Sequence, residues 1–237
     1  MRIAVLVTNT DRSDFAARHP RDGEKFRALL RGVRPAWQVS CFDLTLGEFP
    51  DSLAGFDGVI IGGSPASVHD SDDWIAGLGP LIRQIVTAGT PVFGACFGHQ
   101  AIARALGGTV ADNPGGWVLG VTTTRITAQA PWMAGPATAL RLNAAHTEQV
   151  TALPPGAEVL SGNDECPFGT YRIGTSVFAT QYHPEMTDDF IAALVEEFGP
   201  ALSPGLHAKA RASLAPPADT ALFAEWIARF FEASGPA

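Results

Sequence analysis

The stretch Pro91-Val92-Phe93-Gly94-Ala95-Cys96-Phe97-Gly98-His99-Gln100 leaves the backbone few paths. An apolar run ends in Gly-Ala-Cys-Phe-Gly, and a helix-forming Ala101–Leu106 follows at once. This pattern predicts a strand, a very tight turn and a helix, with a cysteine at the apex. It has the glycine placement of a nucleophile elbow, Gly-x-Cys-x-Gly, with sulfur replacing the serine hydroxyl. Gly94 and Gly98 flank the cysteine because side chains there would collide as strand and helix close on each other. The first helical N–H groups point toward the thiol, and the positive helix end favours thiolate. A free thiol titrates near about 8.5, and such a setting commonly lowers that by one to several units. On its own, Cys96 equally fits a small buried residue after a strand. Catalysis needs more: a base, a group that orients the base, and an oxyanion site.

The bulk of the chain suits one α/β domain better than two small ones. It has 237 residues, 46% hydrophobic and 17% charged, enough apolar material for a full core. A formal net charge of −8 disfavours nucleic acid and anionic membrane as partners. The three cysteines, Cys41, Cys96 and Cys166, are few and odd in number, which suggests a reduced compartment. Met1-Arg2 leads directly into a short apolar strand with no evident signal peptide, and no apolar run approaches a membrane span. A soluble, cytoplasmic protein is expected.

Ile3–Val7 reads as a parallel strand buried on both faces. A polar segment runs from Asp11 to about Gly23, before a helix around Lys25–Arg31. Trp37–Phe42 and Asp57–Ile61 are further strands, the latter closing on Gly62-Gly63-Ser64-Pro65. Ile75, Leu78, Leu81, Ile82, Ile85 and Val86 recur at helical spacing, and Gly89 stops that helix. Strands alternating with helices argue for a parallel sheet covered on both faces. After Gly107-Gly108 the texture changes. Val118–Ile126 and Ala139–Leu142 look like antiparallel strands, and Glu158–Leu160, Gly169–Ile173 and Ser176–Thr180 continue the strand texture. Thr187 is an N-cap for a helix striped with Phe190, Ile191, Leu194 and Val195. The main domain is expected over 1–199. Residues 200–237 then supply a loose Pro/Ala-rich linker, Pro200 to Pro217, and a final amphipathic helix packing on the same domain or on a partner.

Gln181-Tyr182-His183-Pro184-Glu185 follows the last of these strands. Ligands gather at the C-terminal rim of such a sheet. A histidine there can take the thiol proton and later return it to a leaving amine. Glu185 is placed to accept a hydrogen bond from the other ring nitrogen, and Pro184 stiffens the link between them. Cys96-x-x-His99 has no second ligand pair spaced for a closed zinc site, so no metal is expected.

Gly-x-Cys-x-Gly-His-Gln followed far downstream by Gln-x-His-Pro-Glu resembles the class I (triad) glutamine amidotransferases, from Ile3 to about Glu197. The resemblance implies a flavodoxin-like, mostly parallel sheet with helices on both faces plus added antiparallel strands. It implies a catalytic triad of Cys96, His183 and Glu185. It also implies that backbone N–H groups of Phe97 and of Ser64 or Gly63 form an oxyanion hole. Such a donor typically contributes roughly 3–4 kcal/mol to transition-state binding. Many relatives have glycine where Ser64 stands. Ala145-His146-Thr147-Glu148-Gln149-Val150 is similar to a stretch that borders the substrate amino acid in related members. It nominates His146 and Thr147 as substrate-binding, although His146 equally reads as a brace for the loop. Gln100 matches a substrate-facing glutamine of the family, or a solvent-facing polar group that opens a helix. The stretch from Gly63 to Ile75, with His146 to Ala157, looks like the stand-alone branch that resembles the glutaminase part of GMP synthase, a branch that includes γ-glutamyl peptidases.

The reading is a cysteine-dependent glutaminase-type enzyme acting on glutamine or a γ-glutamyl compound, with no cofactor required. Its rivals are a γ-glutamyl peptidase and a non-catalytic thiol-bearing regulatory module. A synthetase partner is left open. The loop from Ala66 to Trp74 carries Asp70, Asp72 and Asp73. These acids either face a cationic leaving group or cap the helix that follows.

Overall fold

In the computed structural model, which describes residues 1–234, the chain opens with β1 (Arg2–Val7), α1 (Asp14–Ala17), α2 (Asp22–Val33) and β2 (Gln38–Asp43). The alternation continues with β3 (Gly58–Ile61), α3 (Asp73–Thr87), β4 (Val92–Ala95) and α4 (Phe97–Ala105). Then come β5 (Thr109–Asp112), β6 (Val118–Ile126), β7 (Ala139–His146), β8 (Glu148–Ala152), β9 (Ala157–Gly162), β10 (Thr170–Ile173) and β11 (Val177–Thr180). Three helices close the chain: α5 (Asp188–Phe198), α6 (Pro204–Ser213) and α7 (Thr220–Ser234).

Nine strands form one sheet in the order β2-β1-β3-β4-β11-β10-β9-β6-β7, while β5 and β8 make a separate antiparallel ribbon. From β2 to β11 every pairing is parallel, and from β11 outward every pairing is antiparallel. The fold is α/β and flavodoxin-like, with antiparallel strands added at one side. The parallel strands are short apolar runs because both faces are covered: Ile3 to Leu6 and Val59 to Ile61 are fully buried. β1 sits between β2 and β3, so the winding reverses there. A crevice therefore opens beyond the C-terminal ends of β1 and β3.

Two apolar layers flank the sheet. On one face Phe26 and Leu30 of α2 join Phe223, Ile227 and Phe231 of α7 against Ile3, Val5 and Phe93. On the other, Ile75, Leu78 and Ile82 of α3 join Ile102 of α4 against Ala4, Leu6, Val59 and Ile61. The aromatic stripe of α7 is thus covered by its own chain. Trp226 Nε1 donates to Ala134 O at 3.0 Å, and Arg34 bridges α2 to Glu225 and Glu232 of α7.

The stretch Pro200–Pro217 is not loose throughout. Ser203 accepts from Leu206 N and Pro204 occupies the first helical position, so α6 starts as a capped helix. Ala210 is fully buried, and Ser213 Oγ accepts from Val121 N of β6 at 2.9 Å. A proline-rich composition hid this helix, because its anchors lie on a strand about ninety residues earlier. The polar segment after β1 likewise contains α1, whose Phe15 is buried with Ile191 and Leu194 of α5.

Candidate active site

Cys96 sits at the junction of β4 and α4 with φ 49° and ψ −104°. Among the described residues it is the one non-glycine with positive φ. Such a conformation costs about 1–3 kcal/mol and persists only where the surroundings enforce it. Here they do. A Cβ at Gly98 would stand 2.3 Å from Ile61 O, and one at Gly94 would stand 2.7 Å from the Gly98 carbonyl group. Both glycines are required for helix and strands to meet. Gly98 N donates to Gly62 O at 3.0 Å, and Cys96 N donates to Thr180 O at 2.9 Å, which pins the turn to β3 and β11. The thiol is nearly buried, with Gln181 Nε2 donating to its sulfur at 3.6 Å.

β11 pairs with β4, with Thr180 opposite Ala95, so the segment after β11 emerges beside the elbow. His183 N donates to Asn143 O at 2.8 Å, which fixes the backbone there. The His183 Nδ1 atom lies 2.7 Å from Glu185 Oε1, and both side chains are buried. Burial alone would lower the His183 pKa. The negative charges of Cys96 and Glu185 outweigh it and hold the ring well above its ordinary value. Nε2 is buried without another partner among the described residues. A thiol beside an imidazole held this way can act as a nucleophile with a ready proton carrier.

The third component is the loop after β3. A Cβ at Gly63 would stand 2.8 Å from His183 Cε1 and 3.7 Å from Cys96 Cβ, so the backbone of this loop lies directly against both groups. Thr8, fully buried at the end of β1, donates its hydroxyl to Gly63 O at 3.0 Å. A trans peptide carries its C=O and N–H on opposite sides, so this bond also orients the Ser64 N–H. Ser64 has no positive φ, so glycine is not needed at that position, and its Oγ accepts from Ala66 N at 3.1 Å. Phe97 opens α4 and is buried.

The remaining predicted residues cluster around Glu148. Gln100 is buried and donates from Nε2 to Glu148 O at 2.8 Å and to Gln181 Oε1 at 3.2 Å. It is not solvent-facing. His146 Nδ1 lies 3.2 Å from the same carbonyl. Burial, reinforced by the nearby His183, pushes the His146 pKa down to about 4, so this ring is neutral near pH 7. Thr147 is partly exposed, and its carbonyl accepts from Asn113 N at 2.7 Å. Sequence reasoning missed Thr8, Asn143 and the sulfur contact of Gln181. Gln181 stands two residues before the histidine in the downstream motif, but nothing local marks Thr8 or Asn143.

A cavity of about 290 Å³ reaches His183, Gly63 and Ser64 from the crevice between the ends of β1 and β3. The segment from Asn9 to Lys25 forms much of its wall, and Trp117 and Phe190 also line it. The Ala66–Trp74 loop does not line it. There Asp70 Oδ2 accepts from Ser67 N at 2.9 Å within a turn, and Asp72 starts α3. The expectation that these acids meet the leaving group is corrected: Asp70, Asp72 and Asp73 are solvent-exposed and lie outside the cavity, Asp72 makes no side-chain cap to α3, and the space beside His183 belongs to another segment. Among the described residues, no helix is long and apolar enough to cross a membrane.

A sequence model of the family described as glutamine amidotransferase class-I matches residues 37–190. A glutamine amidotransferase-like protein of Penicillium rubens is 30% identical over 209 residues, 83% of each chain. Gamma-glutamyl peptidase 3 of Arabidopsis thaliana is 30% identical over 168 residues, 67% of each chain. The crystal structure of a glutamine amidotransferase from Thermotoga maritima superposes with a TM-score of 0.76 over 98% of both chains, at 17% identity.

Proposed function

The chain belongs to the class-I glutamine amidotransferase family, and on that premise we propose that it hydrolyses the γ-amide of glutamine or of a γ-glutamyl compound through Cys96. The observation that carries this reading is the elbow thiol beside an imidazole that Glu185 holds at 2.7 Å, with the Gly63 loop packed against both groups. In this mechanism Cys96 Sγ attacks the γ-carbonyl carbon, and the carbonyl π electrons move onto oxygen. The N–H groups of Ser64 and Phe97, with Gly63 shaping the loop, receive that oxyanion. Collapse of the adduct breaks the carbon–nitrogen bond, and the departing nitrogen takes its proton from His183. A γ-glutamyl thioester remains. Water, deprotonated by His183, attacks the thioester, and glutamate leaves as Cys96 is regenerated. Glu185 keeps its hydrogen bond to Nδ1 and steadies the charged ring. His146 and Thr147 border the glutamyl group through their loop, and Gln100 braces that loop from below. The chemistry needs no cofactor.

A second reading, γ-glutamyl peptidase, is favoured by the cavity beside His183, which is far larger than ammonia requires. The experiment for the shared chemistry is labelling with a chloroketone analogue of glutamine, followed by mass spectrometry. A single adduct on Cys96, absent in Cys96→Ala, is expected, with turnover reduced by orders of magnitude in His183→Ala. An adduct on Cys166 that spares Cys96 would overturn the reading. A protein that neither labels nor turns over would point to the non-catalytic module instead.

A further inference from the structure

The cavity at the reversal point of the sheet has a composition of its own. We propose that it is a leaving-group site that selects γ-glutamyl amides of uncharged aromatic or apolar amines. The proposal rests on the thioester chemistry above and specifies what the thioester-forming step expels.

Position comes first. His183, Gly63, Ser64 and Ala145 are among the residues that line the cavity. The amine nitrogen receives its proton from His183, so whatever the nitrogen carries extends from that ring into this space. The walls are aromatic. Phe15 and Phe190 pack on each other at a tilt with ring centroids 5.8 Å apart, His19 meets the Phe190 ring edge-on at 5.0 Å, and Trp117 packs on Phe198 at 5.3 Å. Phe190 and Trp117 are incompletely buried, so their rings have area left to give to a ligand. A chamber of about 290 Å³ with such walls suits an apolar body.

Charge sharpens the assignment. Lys25 lies within the cavity wall, but its Nζ is 2.9 Å from Asp22 Oδ1, with both side chains largely buried. It also sits 3.6 Å from the Phe190 ring centroid, and the other Asp22 oxygen accepts from Asn9 Nδ2 at 2.9 Å. The positive charge is consumed inside the wall. Arg12 is turned to Asp43 and Thr45 and is mostly exposed. Arg21 also lines the cavity but is solvent-exposed, so a carboxylate on the amine would lose its hydration here without gaining a buried, unpaired cation.

The test compares kcat/KM of the purified chain on glutamine, γ-glutamylethylamide, γ-glutamylphenethylamide and γ-glutamylphenylalanine. The phenethylamide is expected to exceed the ethylamide by roughly tenfold or more, the effect of burying a ring, and to exceed γ-glutamylphenylalanine. Ala16→Phe, which fills the chamber from α1, and Phe190→Ala, which removes a wall, should each bring the phenethylamide-to-ethylamide ratio toward one. The wild-type series decides even if neither variant folds. Equal or faster turnover of the ethylamide overturns the proposal, and a preference for γ-glutamylphenylalanine overturns its uncharged character. Cleavage of glutamine alone, with Cys96 acylated, leaves the hydrolase intact and removes only this site. Inert behaviour toward all four compounds, with no acylation, defeats the hydrolase reading as well.

Discussion

Beneath the floor of the site one hydroxyl holds a peptide group whose orientation decides whether an N–H faces the reacting carbonyl. Thr8 and Gly63 are joined by a 3.0 Å buried bond, and the glycine itself offers little resistance to rotation. Thr8→Val keeps the shape and removes the donor. It should lower kcat about tenfold, the effect of roughly 1–2 kcal/mol lost from the transition state, with KM nearly unchanged. Thr8→Ser should restore the rate. Steady-state kinetics on the three proteins check this, and a change confined to KM would refute it. His183 and Glu185 carry a second prediction. Burial opposes the charged ring, while Cys96 and Glu185 raise its pKa well above the ordinary histidine value. Activity that depends on the imidazolium must therefore fall as pH rises through that raised pKa. Glu185→Gln removes one of the two supporting charges, so the alkaline limb of the pH–rate profile should move to lower pH.

Two elements carry the geometry: the elbow and the last helix. At the elbow, α4 approaches β3 so closely that a methyl group on Gly98 would meet the Ile61 carbonyl at 2.3 Å. That neighbour is central-strand backbone and cannot yield. Gly98→Ala should cost about 3 kcal/mol or more, at or beyond the upper end for overpacking, and should lower activity through Cys96 even where the protein still folds. Denaturant midpoints and turnover, measured together, check both effects. α7 buries Phe223, Trp226, Phe230 and Phe231 against the sheet. Phe223 stacks on Phe178 at 5.6 Å and 24°, and Phe178 lies on β11, the strand that leads to His183. Phe223→Ala should cost about 3–5 kcal/mol. Arg34→Ala, which loses the partly exposed ion pairs to Glu225 and Glu232 of the same helix, should cost less, about 1 kcal/mol. Thermal unfolding ranks the two.

At the scale of the whole molecule, stability depends on histidines that stay neutral inside. Burial pushes His99 down to about 3 and, with help from His183, pushes His146 to about 4. Both are neutral in the native state at a pH where the unfolded chain, with histidines near about 6.5, binds protons. The stability that these two histidines contribute is therefore full above about pH 6.5. It falls as pH drops toward 4, with a slope approaching two protons, or about 2.7 kcal/mol per pH unit. His183 runs the other way. Its raised pKa adds stability that is complete below about pH 6.5 and is lost as pH climbs through the native value, so it does not offset the acid loss. Urea midpoints between pH 4 and 8 measure the slope, and His146→Gln should reduce it by about one proton.

The sequence by itself determined the elements whose cause is local. Two glycines around a cysteine at the end of an apolar run specify the elbow, because no other residue fits so close a crossing. Alternating apolar strands and amphipathic helices specify a covered parallel sheet. The His-Pro-Glu spacing was enough to pair Nδ1 with a carboxylate two residues away. Other features were decided only when distant segments met. Thr8 acquired its role because β1 and β3 are neighbours in the sheet, fifty-five residues apart in the chain. α6 escaped a reading based on composition because a hydrogen bond from a strand amide to its Ser213 hydroxyl and a buried alanine fasten it. The acidic loop before α3 stays in solvent, with Asp70 bonded to the Ser67 amide. The chamber beside His183 instead came from α1 and the start of α2, brought there by the reversal of winding at β1. Hydrophobic periodicity records which face of an element is buried. It does not record which other segment covers that face, and so it cannot show where their packing leaves a cavity.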